Sequence, residues 1–212
     1  MENRIDIINP YSSYIFKAHY NFDWEKIKPK CKELLHSAPS DFALVTKGGS
    51  SHQNAMQPHM LDEFKDFYEW LQMMINEVAT KGMGYFTDFH EYVLTNSWMN
   101  VTYDEGQTLG HKHPNTFLVA STYLNIPENS GYFEAKDPLE DLKSFYYRND
   151  PSWAWKEIPT ISGDVLIFPG WLKHRTQQNK SGQERWVVTS SFDQIFNDEY
   201  FLTPEKNDNK NL

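Results

Sequence analysis

The run His111-Lys112-His113-Pro114-Asn115-Thr116-Phe117-Leu118-Val119-Ala120-Ser121-Thr122-Tyr123-Leu124-Asn125-Ile126-Pro127 decides how this chain is read. From Thr116 it is dense in β-branched and aromatic residues and closes at Pro127, as a strand does. Side chains two apart on a strand share a face, so His111 and His113 at its entrance point the same way. Two imidazoles on one face can share a metal ion. Imidazole suits iron, zinc, copper and nickel alike, so the spacing does not choose among them. A pair of solvated histidines beside a turn would leave the same trace, and the pair needs company before it signifies a site.

The company lies downstream, in Gly163-Asp164-Val165-Leu166-Ile167-Phe168-Pro169-Gly170-Trp171-Leu172-Lys173-His174. A turn feeds an apolar strand, Pro169-Gly170 breaks it, and His174 emerges at its rim. Arg185 then opens a further strand, RWVVTSSF, on which Arg185, Val187, Thr189 and Ser191 share a face. A guanidinium on an otherwise buried strand is costly unless it meets an anion. Its planar fork is suited to a carboxylate, which it holds through two parallel hydrogen bonds. An internal salt bridge, with Asp164 for instance, is the competing explanation.

Working outward, residues 91–103, 116–126, 131–135, 164–168, 174–177 and 184–192 form short strands punctuated by polar turns, the pattern of an all-β sandwich or barrel. The predicted class is mainly β with flanking helices. Residues 4–16 read as an extended segment around Asn9-Pro10-Tyr11, and residues 21–37 as a helix capped by Asp23, with Pro29 either kinking it or marking its start. Residues 60–81 form the strongest helix, with Leu61, Phe64, Tyr68, Leu71, Ile75 and Val78 on one stripe. Residues 38–60 read as a loop around Gly48-Gly49, with His52 and His59 as surface histidines. Residues 136–160 form a long, ring-rich insertion between strands, suited to a lid or substrate wall or to a helix packed on the sandwich. The tail, 203–212, is polar and frayed.

Composition narrows the function. The chain has 212 residues, enough for one domain with a full core, and 16% of them are aromatic. A net charge of −9 disfavours nucleic acid as a direct partner. The single cysteine, Cys31, forms no internal disulfide, and no apolar run marks a signal peptide or a membrane span, so a cytoplasmic protein is expected.

Taken together, residues 98–124, with their H-x-H-P, the GDVLIFPGWLKH segment and Arg185 resemble the Fe(II)- and 2-oxoglutarate-dependent oxygenases, above all the bacterial and phage members with an H-x-H-P motif. The resemblance spans roughly residues 96–193. It implies one oxygenase domain over 1–212, with support from 1–85 and a double-stranded β-helix, the cupin-like jelly roll, over 86–195. It implies Fe(II) as cofactor, 2-oxoglutarate and O2 as co-substrates, and hydroxylation of a peptidyl side chain or small metabolite. His111 and His174 take the place of metal ligands and Arg185 that of the 2-oxoglutarate clamp, with Tyr123, Asn100 or Thr189 as further partners. Tyr147, Trp153 and Trp155 would meet the substrate. The sequence departs from the family's usual pattern at His113, where a carboxylate normally completes the triad. Either His113 ligates, which is the favoured reading, or Glu134 or Asp104 reaches in, or water fills the place. Two other functions compete: a three-histidine cupin-like dioxygenase or isomerase without 2-oxoglutarate, and a non-catalytic binding module.

Overall fold

A computed structural model describes residues 14–36, 43–84, 90–140 and 154–196. Two antiparallel sheets dominate it. The larger has six strands in the order β1 (Phe16–His19), β7 (Asp164–Pro169), β4 (Leu118–Asn125), β9 (Arg185–Phe196), β3 (His90–Thr108) and β2 (Val45–Ser50). The smaller has three, β6 (Trp155–Ile158), β5 (Phe133–Lys136) and β8 (His174–Thr176). The fold is the expected jelly roll with flanking helices.

The large sheet is buried on both faces, and the two faces have different chemistry. One covers the helices: Met99 and Val101, Leu118, Ala120 and Leu124, Val165 and Ile167, and Trp186, Val188 and Phe192 form one apolar core with residues of α1 (Trp24–His36) and α2 (Lys65–Glu77). Strand alternation turns their neighbours the other way. There Val119, Tyr123, Leu166 and Phe168 join Phe133 and Leu172 in a second, smaller core between the sheets. Each fully buried Phe or Leu contributes roughly 1.5–3 kcal/mol. These rows anchor the sheet, and the remaining inward positions are free to be polar.

The helices follow their sequence signals with two refinements. Asp23 caps α1, its Oδ1 accepting from the Lys26 amide at 3.3 Å, and the helix runs through Pro29. The stripe predicted as one helix over 60–81 is divided: 3-10 turns at Pro58–Met60 and Asp62–Phe64 lead into α2, and a π turn, Val78–Gly82, ends it. Its buried residues are Phe64, Phe67, Leu71, Ile75 and Ala79.

Three expectations change. Residues 45–50 are not loop but strand β2, paired with β3. Gly48 and Gly49 lie inside it because a Cβ on Gly48 would come within 2.0 Å of the Val101 carbonyl, at a register shift in the pairing. Within the insertion at 136–160, residues 155–158 form β6, paired with β5. His52 and His59 are half-buried rather than surface residues; the His59 ring and amide both bond Ser97 Oγ. The extended segment around Asn9-Pro10-Tyr11, Tyr147 and Trp153 of the insertion, and the tail lie outside the described residues. Among the described residues no helix is long and apolar enough to cross a membrane.

Candidate active site

His111 and His174 are joined by backbone. They form an isolated antiparallel bridge in which each amide donates to the other's carbonyl at 3.0 Å. His113 is held by a third backbone bond, its amide donating to the Gly170 carbonyl at 2.9 Å. Gly170 is required there: a Cβ would lie 2.1 Å from the Thr116 carbonyl. The Pro169-Gly170 break thus serves as the dock for the H-x-H-P loop.

The three imidazoles converge, with one ligand atom from each lying within 4.8 Å of the others. His111 Nδ1 meets the Leu109 carbonyl at 2.8 Å and His174 Nδ1 the Leu172 carbonyl at 2.9 Å. A carbonyl only accepts, so both Nδ1 atoms carry the proton and both Nε2 atoms offer a lone pair. His113 Nε2 stands 3.4 Å from His174 Nε2. Two nitrogens bound to one cation at the ~2.0–2.1 Å of a metal–imidazole bond would stand roughly 3 Å apart. The indole of Trp98 packs on His113, centroids 5.6 Å apart and 30° between planes. His52 meets Trp98 edge-on at 4.8 Å.

Electrostatics favour the neutral, metal-ready imidazoles. Burial lowers the pKa of all three. It takes His113 to about 3, with repulsion from His111 and His52 adding to it, and His174 well below the usual histidine range. The donor set fits a divalent transition metal such as iron. No carboxylate belongs to the cluster among the described residues. Glu134 pairs with Arg175 at 2.5 Å, and Asp104 accepts from the Gly182 amide at 3.1 Å.

Beside the histidines opens a cavity of about 420 Å³. Arg185, Tyr123, Asn100 and Thr189 all line it. Arg185 is only 2% exposed, and its hydrogen bonds go to the Ser130 and Gln177 carbonyls at 2.5 and 3.1 Å and to Thr176 Oγ1 at 2.7 Å. Among the described residues no carboxylate pairs with it. Asp164 is engaged by Lys17 at 2.6 Å and by the Ile161 amide at 2.8 Å, which removes the internal salt bridge as an explanation. Burial lowers the guanidinium to about 10 and raises the Tyr123 phenol, although the nearby Arg185 charge favours its ionised form. Asn100 Oδ1 and Thr102 Oγ1, on the cavity floor, are buried without a hydrogen-bond partner. The cavity is therefore short of a ligand with both negative charge and polar atoms.

Trp155 does not line this cavity; its ring stacks under Arg175, which does, at 4.1 Å. Sequence reasoning missed His52 and Trp98 in the cavity wall. Trp98 was legible only as one member of a strand, and His52 reaches the site from a turn with no local signature.

Residues 96–193 match the family model described as "Putative 2OG-Fe(II) oxygenase", a segment that includes all three histidines and Arg185. A search of curated proteins returned no significant match. Among solved structures, a prolyl-4-hydroxylase of Pseudomonas putida superposes with a TM-score of 0.59 at 10% identity, over 86% of this chain and 93% of that one. The viral collagen prolyl hydroxylase of Paramecium Bursaria Chlorella virus-1, in complex with 2OG, gives 0.54 at 12% identity, over 84% and 95%. HygX of Streptomyces hygroscopicus, with nickel and 2-oxoglutarate bound, gives 0.54 at 10% identity, over 85% and 83%. At such identities the likeness is one of fold. The family match covers residues 96–193, a little under half of the chain, and the histidine cluster lies within it, so this part of the chain is similar to the 2-oxoglutarate–Fe(II) oxygenases.

Proposed function

We propose that the protein hydroxylates a C–H bond of a peptidyl side chain or small metabolite, consuming 2-oxoglutarate and O2 and releasing succinate and CO2. One oxygen atom enters the substrate and the other the succinate. The observation that carries this is Arg185: a buried guanidinium, with no carboxylate partner among the described residues, lining the cavity that His111, His113 and His174 also line. A cupin-like enzyme without 2-oxoglutarate has little use for such a cation unless its own substrate is a carboxylate, and a non-catalytic binding module has little use for three converged neutral imidazoles.

Iron bound at the histidines would supply the oxidising chemistry. The rest falls to the chain. His111 and His174 offer fixed lone pairs because their Nδ1 protons are held by backbone carbonyls. His113 would be the third ligand, its ring packed against Trp98. Arg185 takes the remote carboxylate of 2-oxoglutarate. Tyr123, which pairs with Val187 across the strands, would donate its phenolic proton to the same group. Asn100 and Thr189 offer the cavity further polar atoms. Phe133 and Phe168 pack at 5.3 and 4.8 Å from the His174 ring and exclude water from that side. Trp155, Trp153 and Tyr147 are candidates for substrate contact.

The test is succinate formation from 2-oxoglutarate with Fe(II) under 18O2. One labelled oxygen atom should enter succinate and one the hydroxylated product. Succinate formed without O2, or product bearing oxygen from water, contradicts the proposal.

A further inference from the structure

Outside the metal cavity, and continuous with it through Lys112, His113, Pro114, Asn115 and Asp193, runs an open groove of about 790 Å³. Trp171 stands on its wall, 51% exposed, and Ile195 faces the groove with 51% exposure. A smaller depression of about 320 Å³ shares Trp171 and Lys112 with the groove, and Lys173 borders it as well.

The two lysines are placed by the metal-site backbone itself. His111 and His174 are bridged antiparallel, so the adjoining residues Lys112 and Lys173 lie opposite each other across that bridge. Among the described residues neither is ion-paired; the carboxylate of Glu140 goes to Lys136 and that of Glu134 to Arg175. The two ammonium groups stand beside the exposed indole of Trp171, in a depression that Lys136, Asp137 and Glu140 also line. Asp193 also lines the groove, likewise without a cationic partner among the described residues. The groove is therefore lined by one lysine, Lys112, and one carboxylate, Asp193, together with apolar surface from Trp171, Phe117 and Ile195.

This polarity selects among ligands. A nucleic acid repeats its negative charge at every step and would bring phosphates against Asp193. A small metabolite would sit within the 420 Å³ cavity and leave the groove empty. An extended peptide spaces its side chains about 3.3 Å apart along the chain and can present different charges to different walls. Given the oxygenase reading, on which this inference rests, we propose that the substrate is an extended peptide segment lying along this groove. Its reacting side chain enters the metal cavity, and an acidic side chain nearby seats on Lys112 and Lys173 beside Trp171.

The test uses the full-length protein loaded anaerobically with Fe(II) and 2-oxoglutarate, and a displayed library of random nine-residue peptides. Peptides enriched on the protein are expected to carry Asp or Glu at one fixed position. The double variant Lys112→Gln/Lys173→Gln is expected to bind them at least tenfold more weakly while keeping the absorption of the iron–2-oxoglutarate complex. Enrichment without an acidic preference, enrichment that the double variant retains, or no enrichment would overturn the proposal. So would competition by oligothymidylate or inorganic phosphate as strong as that by the acidic peptides. Each of these results with the iron–2-oxoglutarate absorption intact leaves the oxygenase reading standing. Absence of that absorption in the unmodified protein overturns the oxygenase reading itself.

Discussion

His111 and His174 exchange two backbone hydrogen bonds of 3.0 Å, and their ring centroids lie 4.3 Å apart. Residues far apart in sequence are thus brought to one point by the main chain, and their side chains inherit the convergence. His113 and His174 are buried, His111 is half-buried, and no carboxylate belongs to the cluster among the described residues. The properties of the metal-free protein should reveal this.

Stability of the metal-free protein should fall as pH drops below about 6.5. Burial lowers His113 to about 3 and His174 well below its ordinary value. Between the unfolded and folded pKa values the unfolded chain binds protons that the folded chain refuses, so acid favours unfolding. The cost is about 1.4 kcal/mol per pH unit for each such histidine. Urea unfolding of the metal-free protein at pH 7 and pH 5.5 should show the loss, and His113→Phe should reduce its slope. A slope that His113→Phe leaves unchanged would show that His113 is protonated in the folded state.

His113 occupies the position where a carboxylate is usual, and its ligation is tested by variants. His111→Ala and His113→Ala should each weaken Fe(II) binding at least tenfold, read by isothermal titration under argon. Loss in the first with full affinity in the second would leave iron held by His111 and His174 alone.

Arg185→Met removes the cation and keeps much of the bulk. Loss of a buried charge that binds a carboxylate costs about 2–5 kcal/mol. 2-Oxoglutarate affinity should therefore fall roughly thirtyfold or more, while Fe(II) affinity changes little. Unchanged 2-oxoglutarate affinity would exclude Arg185 from that role.

Gly170→Ala places a methyl group against the Thr116 carbonyl. Forcing an atom into such a packed contact costs about 1–3 kcal/mol. The variant should melt several degrees lower and bind Fe(II) more weakly, because the loop bearing His113 must move. A change in melting alone would show that the loop adapts without disturbing the site.

The parts of the fold legible in the sequence were those whose signal is local. Strands β4, β7 and β9 are apolar on the helix-facing side, so their runs stand out, and the period of two put Arg185, Val187, Thr189 and Ser191 on one face, where they do line the cavity. Strand β2 was hidden because it carries two glycines, admitted by the close approach of Gly48 to β3. Strand β6 was hidden inside an aromatic stretch and gains its identity only by pairing with β5. His52 enters the cavity wall through its packing on Trp98, a contact between distant segments that no spacing encodes. The convergence of His111, His113 and His174 was suggested by strand faces, but their fixed tautomers depend on carbonyl positions set by the turns at Leu109 and Leu172.

The most direct measurement is the visible spectrum of the protein mixed anaerobically with Fe(II) and 2-oxoglutarate. The converged histidines and the buried Arg185 predict a weak charge-transfer band that requires both additions, disappears with His174→Ala, and needs far more 2-oxoglutarate in Arg185→Met. A protein that binds Fe(II) yet shows no band at any 2-oxoglutarate concentration would contradict the assignment of this cavity to 2-oxoglutarate.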